Sequence, residues 1–424
     1  MSTFRAAIAA AVIVLGAAAP TRATETLRLD DAFQRVIQSH PELAILRYRE
    51  ASLRAQVEQA AQSAPLQLGA SAENVLGSGT ASGVDGAELT VSLASVLERG
   101  GKRAARVVLA EQHYRGIDLQ REAKQLDLLA EVARRYLDVA AARALSVLAQ
   151  QDMAQRQRAA AATSKRVAAG GAPESVRLAA QAAVTRAQGA LSRAELAQAA
   201  AIRRLALLWG EHDPHYAIVS GELTALPPVR DYTSLIARLA TSPELRRFAS
   251  EARLREARLQ LARSARSSDI QWQLGVRRLE LDNDWGLVGS LSIPFGNAER
   301  ARPGIRAAEA DLSALDLERE GQTRTLETTL LDVAAQIEMA VAEARHIDDA
   351  LLPLLQQAEQ AAERAYRTGA LSHLEWAQLQ SEITASQRDR LHASIAAHRG
   401  LIDLQRLTGE SLLPASTQSK ESQP

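Results

Sequence analysis

Two hydrophobic periods alternate along this chain. Over 102–168, apolar residues recur at a strict four–three spacing through Leu119, Ala123, Leu126, Ala130, Ala133, Leu137, Ala140 and Ala144. Over 302–368, Leu326, Leu330, Val333, Ile337, Ala340, Ala344, Ile347 and Leu351 do the same. A sustained seven-residue period predicts long helices in left-handed supercoils. Each would run about 67 residues, or roughly 100 Å. Many seam positions are alanine, so neighbours can lie close. A second stripe, Leu129, Val132, Tyr136 and Val139, occupies an adjacent face. Two apolar stripes mean neighbours on two sides, as in a wall of helices. Shorter helices are predicted over 29–63 and 173–209, and again over 232–266 and 371–408. Stacked end to end, each short pair matches one long helix in length.

Between these helices the period drops to two. In 66–76, Leu68, Ala70 and Ala72 oppose Gln67, Ser71 and Glu73; in 88–96, Leu89, Val91 and Leu93 oppose Glu88, Thr90 and Ser92. In 270–279, Trp272, Leu274 and Val276 oppose Gln271, Gln273 and Arg277; in 286–295, Leu287, Leu291 and Ile293 oppose Ser290 and Ser292. Each run has the length of a transmembrane β-strand, about 9–11 residues, with apolar and polar faces alternating. Period-two alternation alone also fits a half-buried soluble sheet. Breakers punctuate the scheme. Gly170-Gly171 and Gly369 mark helix reversals, Pro41 and Pro243 follow a stop in the first helix of each half, Pro303 reads as first-turn proline, and Pro353 predicts a kink.

The layout is written twice. Ser39-His40-Pro41-Glu42-Leu43 returns as Thr241-Ser242-Pro243-Glu244-Leu245, and Glu50-Ala51-Ser52-Leu53-Arg54 as Glu251-Ala252-Arg253-Leu254-Arg255. Gln67-Leu68-Gly69, Ala110-Glu111 and Gly171-Ala172 return in the same order as Gln273-Leu274-Gly275, Ala308-Glu309 and Gly369-Ala370. Two structural repeats are therefore expected, 24–220 and 221–410, each of helices plus two barrel strands, followed by a disordered C-terminal tail at 411–424. Residues 1–23 read as a secretory signal peptide. Arg5 gives the charged start, Ala6 to Ala19 an apolar run, and Thr21-Arg22-Ala23 a small-residue cut site. That run is short for a membrane helix, and no other segment would span a bilayer as a helix. The export signal and the hairpins paired by repeat favour a membrane for the strands.

Composition narrows the function. Cysteine is absent, which excludes disulfides, thiolate metal sites and a cysteine nucleophile. Fifty basic and fifty acidic residues balance, against the basic excess of a nucleic-acid binder. Four strands cannot close a barrel, and an open edge is not tolerated in lipid. The membrane reading thus forces chains to pool their strands. Three copies give a trimeric 12-stranded β-barrel, and twelve helical rows beneath it continue the tube as a 12-helix periplasmic α-barrel. The fold class expected is mainly α with four transmembrane β-strands.

The whole chain after residue 23 resembles the TolC-type outer-membrane efflux channels, most closely the CzcC-like subunit of heavy-metal systems. The carrying motifs are Leu97-Glu98-Arg99-Gly100-Gly101-Lys102-Arg103 with Ala104-Ala105-Arg106, then Ser290-Leu291-Ser292-Ile293-Pro294-Phe295 with Ile305-Arg306-Ala307-Ala308-Glu309. The turn Tyr366-Arg367-Thr368-Gly369-Ala370-Leu371-Ser372 and the terminal Leu407-Thr408-Gly409 also match. The resemblance implies a homotrimeric duct across outer membrane and periplasm. It would dock on a periplasmic adaptor (membrane-fusion) protein and an inner-membrane pump of the resistance-nodulation-division type. The second junction lacks the Gly-Lys-Arg pattern, and the start after residue 23 lacks the lipidated cysteine common among relatives.

Candidate chemistry is sparse. Gly77-Ser78-Gly79 through Gly86 lacks a Gly-Lys-Ser/Thr and does not open a helix, so it reads as a loop between strands. Glu211, His212, Asp213 and His215 form a donor-rich stretch before Pro214 and Pro227-Pro228; it reads as hydrated linker polarity, with an adventitious zinc or copper site as the alternative. Gly100, Gly101, Lys102, Arg103 and Arg106 mark the strand–helix junction, a basic cluster at a membrane edge suited to lipid headgroups. Arg367 and Glu375 flank the second helical turn, and Glu174 and Arg177 the first. They read as ordinary helix-end charge or as a charged aperture at the periplasmic mouth. By the resemblance, Glu375 stands where relatives carry an acidic residue. No nucleophile–base pair, nucleotide loop or cofactor motif emerges, so the chain is expected to be no enzyme. The favoured reading is a passive exit duct, for heavy-metal cations or for organic drugs. Rival readings are a protein-secretion duct and a soluble periplasmic coiled-coil scaffold.

Overall fold

The computed structural model describes residues 25–79, 82–218, 223, 225–410 and 412. The signal peptide expected at 1–23, and all of the expected tail except Leu412, lie outside these residues. Strand β1 (Glu25–Leu27) leads to helices α1 (Leu29–Ser39) and α2 (Pro41–Ala61), strands β2 (Gln67–Glu73) and β3 (Glu88–Leu97), the long helix α3 (Lys102–Ala168) and its return α4 (Glu174–Ala206). After β4 (Tyr216–Ile218) the order recurs with α5 (Tyr232–Leu239), α6 (Pro243–Ser264), β5 (Ile270–Leu279), β6 (Asp284–Ser292), α7 (Asn297–His346), α8 (Leu352–Thr368) and α9 (His373–Thr408).

Helix α3 runs 67 residues without a break, with the bounds its heptads predict. At its start Gly100 has φ +72°, and an added Cβ would lie 2.3 Å from the Ser267 hydroxyl, so the strand-to-helix turn there admits only glycine. Three expectations need correction. The single helices expected over 29–63 and 232–266 are each two helices. The stops expected before Pro41 and Pro243 are there, at the ends of α1 and α5, and the His40 ring accepts a bond from the Glu42 N–H while Ser242 caps the Leu245 N–H, so each proline also begins a new helix. Helix α7 begins at Asn297, after Gly296 in the left-handed region, which puts Pro303 in the second turn instead of the first. The kink expected at Pro353 takes the form of a π-helical turn at Ile347–Leu351 just before it. The wider turn re-registers the ladder where proline removes a donor.

The helices form a slab one layer thick. Helix α3 packs against α2 and α4, and also against α6 and α9; α7 packs against α6 and α9, and α8 against α9. The lateral order is therefore α2 or α4, then α3, then α6 or α9, then α7 with α8. The strands repeat that order as an antiparallel sheet, β2-β3-β5-β6. Each strand continues the row of its neighbouring helix, so slab and sheet share the same two open edges.

The seam residues supply the core. Ala130, Val132, Ala133, Tyr136 and Val139 of α3 bury against Phe33 and Val36 of α1 and Leu205 of α4. Leu326, Leu330, Ile337 and Val341 of α7 bury against Leu235, Leu239, Phe248 and Leu404. At Gly400 an added Cβ would meet Ile337 Cγ1 at 2.6 Å, so α9 touches α7 backbone-close. Strands β1 and β4 pair in parallel, Glu25 with Tyr216 through Leu27 with Ile218, and tie the start of the described chain to the link between the halves.

Candidate functional site

The sheet register sorts every strand residue to one of two faces. Leu68 pairs with Leu93 and Leu93 with Leu274; Ala70 pairs with Val91, Val91 with Val276 and Val276 with Leu287. These rows form a continuous apolar face, and Leu68, Leu287 and Leu291 on it are 79%, 90% and 67% exposed. So much bare aliphatic surface on a strand face has no place in water. The opposite face is polar and internally bonded. Gln273 Nε2 donates to Ser92 Oγ at 2.8 Å, and Arg277 Nε to Thr90 Oγ1 at 3.0 Å. At the loop end, Glu73 stands directly opposite Glu88. Arg277 lies between them, 2.5 Å from Glu88 and 3.6 Å from Glu73.

At the helix end, the expected basic junction is largely paired. Lys102 Nζ lies 2.7 Å from Asp269 Oδ2, and the Arg99 N–H donates to Asp269 Oδ1 at 3.1 Å. Burial works against charge on Asp269, but these two donors outweigh it and hold the carboxyl below its ordinary range. Arg106 clasps Glu98 with both terminal nitrogens, one at 3.0 Å, and holds that carboxyl down as well. Arg103 is exposed and has no acidic partner among the described residues. Gly100 and Gly101, both at φ +72°, turn the chain from β3 into α3.

The far end carries the two helical reversals. A cluster of Ala159, Ala362, Tyr366 and Trp376 packs there, with Tyr366 stacked on Trp376 at 4.9 Å between ring centres. Arg166 reaches across it, donating to the Tyr366 carbonyl at 2.9 Å and the Gly171 carbonyl at 3.2 Å, with its guanidinium 5.0 Å from the Tyr366 ring centre. One side chain thus clips both turns together. The buried Thr163 hydroxyl lies 3.2 Å from His373 Nδ1, and burial with Arg156 nearby pushes the His373 pKa down. The residues singled out from sequence sit at the two reversals and are locally bonded, with Arg367, Glu375 and Glu174 exposed and Arg177 half-buried. Arg367 reaches Glu363 at 2.6 Å, Glu375 closes a capping box with Ser372, and Arg177 bonds Glu174 at 2.8 and 2.9 Å. The Ser372 hydroxyl and backbone N–H hold the Glu375 carboxyl below its usual range. Within one chain Arg367 and Glu375 do not pair. Arg166, Thr163 and Tyr366 were missed, although an aromatic cluster in so ring-poor a chain is itself a signal.

The donor-rich stretch after α4 is partly tied up. Glu211 accepts from Trp209 Nε1 at 2.8 Å and from the Tyr216 hydroxyl, and lies 3.7 Å from Arg35, which stacks over the Tyr216 ring at 4.8 Å. His215 Nε2 is 4.0 Å from Asp213 Oδ2. With His212 these do not converge, and no group of three metal-ligating side chains occurs among the described residues. A cavity of about 880 Å³ opens between α3, α6 and α7. Four of its charges pair with one another, Arg255 with Glu318 at 2.7 Å and Arg406 with Glu244 at 3.0 Å. No helix among the described residues is long and apolar enough to cross a membrane.

Residues 32–211 match the family described as outer membrane efflux protein. The chain is 27% identical over 280 residues to the cobalt-zinc-cadmium resistance protein CzcC of Cupriavidus metallidurans, covering 66% of this chain and 67% of that protein. It is 26% identical over 239 residues to the nickel and cobalt resistance protein CnrC of the same organism, covering 56% of each. Among solved structures, that of CusC, described in terms of folding and transmembrane channel formation, superposes with a TM-score of 0.75 at 19% identity, covering 92% of this chain and 93% of CusC. That likeness shows the fold.

Proposed function

Residues 32–211 match the outer membrane efflux protein family, and from that match we propose that the chain is a member of it and the outer-membrane exit duct of a tripartite efflux system for heavy-metal cations. The observation that carries this is the shared pair of open edges. Strand β2 with helices α2 and α4 forms one edge, and β6 with α7 and α8 forms the other. Lipid cannot satisfy unpaired strand edges. Three copies joined edge to edge make a 12-stranded barrel that runs without a seam into a 12-helix tube. The apolar face then meets lipid and the polar face, with Gln273, Ser92 and Arg277, lines the bore.

The fold repeats proposed are 24–220 and 221–410, with 1–23 as the export signal. The metal reading draws on the relatives, whose names record cobalt, zinc, cadmium and nickel resistance. The family is one of transport channels, not enzymes, so energy enters from elsewhere. An inner-membrane pump of the resistance-nodulation-division type supplies it through a periplasmic adaptor that meets the tube at its helical end. There the Arg166 clip holds the two hairpins of each chain together. Arg367, Glu375, Glu174 and Arg177, each bonded within its own turn, lie at the surface where exchange of these local partners forms charged rings between copies. Opening parts the hairpins, and cations then diffuse through the polar bore.

Deleting the gene and scoring tolerance to zinc, cobalt, cadmium, nickel and a drug panel tests the substrate. Selective metal sensitivity is the expected result, and drug sensitivity alone would reassign the cargo. Conductance by heat-modifiable trimers in planar bilayers tests the duct itself.

A further inference from the structure

The helical rim of the sheet carries more positive charge than its own residues can pair. The strand–helix connections together with the adjoining helix ends, 97–106, 263–270 and 292–309, hold nine basic and four acidic side chains. Lys102 takes Asp269 at 2.7 Å, Arg106 takes Glu98 at 3.0 Å, Arg302 takes Glu299 at 2.8 Å and Arg263 takes Glu309 at 2.9 Å. Every acid is thereby engaged. Arg99, Arg103, Arg266, Arg300 and Arg306 remain, all exposed and without an acidic partner among the described residues.

This surplus is local. The chain as a whole is neutral, and the loop end of the same sheet has the opposite sign, with six acidic and two basic residues over 73–88 and 277–284. The surplus also borders the apolar face. Leu97, Leu291 and Phe295 at that rim are 57%, 67% and 88% exposed, and Arg99 is exposed two residues past the end of β3 at Leu97. A row of cations beside exposed aliphatic and aromatic side chains matches a lipid with its acyl chain against the sheet and its phosphate at the rim.

We propose that this rim is a collar that binds anionic phospholipid headgroups of the leaflet facing the periplasm, and so fixes the depth of the barrel in the membrane. The proposal rests on the duct reading and specifies which lipid chemistry the duct selects, and where. A soluble protein partner would not need the adjoining apolar band. Each arginine near a charged membrane surface favours anionic lipid on the order of fivefold.

The test inserts full-length protein into vesicles of mixed phosphatidylcholine and phosphatidylglycerol, extracts it in mild detergent, and measures the lipid that stays bound. Wild type should retain phosphatidylglycerol enriched severalfold over the vesicle composition. The enrichment should vanish at about 1 M NaCl, where screening acts over about 3 Å. The triple variant Arg99→Gln, Arg103→Gln, Arg266→Gln should retain lipid in the vesicle ratio while still forming conducting trimers. Equal enrichment in both proteins, enrichment that resists salt, or none in wild type overturns the collar and leaves the duct standing. Failure of wild type to insert or conduct in any vesicle overturns both.

Discussion

Replacing Arg166 with alanine should loosen the end of the molecule where both helical hairpins turn. The side chain makes two bonds to backbone carbonyls, 2.9 Å to Tyr366 and 3.2 Å to Gly171, and lies 5.0 Å from the Tyr366 ring centre. The site is half-buried, so each bond is worth about 1 kcal/mol and the ring contact about 0.5–1 kcal/mol. The Gly171 bond stays within the turn that follows α3, so the Tyr366 bond and ring contact couple the two turns by about 1.5–2 kcal/mol, which is roughly a 10- to 30-fold shift in a closed–open equilibrium. Single-channel recording in planar bilayers reads that shift directly as time spent at high conductance. Arg166→Lys keeps the charge but loses the planar fork, so it should fall between wild type and Arg166→Ala. If Arg166→Ala trimers are intact and their open time equals wild type, the clip has no part in closure and the reasoning is refuted.

Acidification should act on the same cluster through His373. Burial and Arg156 hold its pKa below the ordinary 6.5, so the folded tip binds fewer protons than the unfolded chain. Its stabilising share is full above pH 6.5 and is lost as pH falls below that value; amide protection around 366–376, relative to the intrinsic exchange rate at each pH, should fall in acid, and His373→Gln should flatten the dependence. Gly400→Ala would press a methyl onto Ile337, where the gap is 2.6 Å, and should cost about 1–3 kcal/mol of thermal stability, partly restored by Ile337→Ala. Arg277→Gln leaves Glu73 and Glu88 directly opposed without their shared cation, which should weaken the trimer to heat and raise cation over anion permeability in reversal-potential measurements.

Where local periodicity decides structure, the sequence was readable. Helix α3 came out with its true bounds because unbroken heptads lie between Gly100-Gly101 and Gly170-Gly171. The four strands were legible because one face must stay apolar along each of them. Strands β1 and β4 were not, since three residues each hold no period and their pairing depends on partners nearly 200 residues apart. The split of the first helices was half visible. Pro41 and Pro243 signalled an interruption, but only the caps at His40 and Ser242 show that a new helix starts there. At the tip, charges at the turns were easy to find and their partners were not. Glu375 belongs to a Ser372-x-x-Glu375 capping box, whose spacing is local. The Arg166 clip joins residues 200 positions apart and leaves no mark in the pattern.

Because the chain has no cysteine, the pairing of β6 with β2 of a neighbouring copy can be tested by paired replacements on the apolar face. Ala70→Cys in β2 would be combined in turn with Trp285→Cys, Leu287→Cys, Gly289→Cys or Leu291→Cys in β6, since the register between copies is open. After oxidation in membranes and denaturing electrophoresis, the account expects one register to give a covalent ladder that ends at three chains. A ladder that runs past three, or monomer alone at every register, would contradict it.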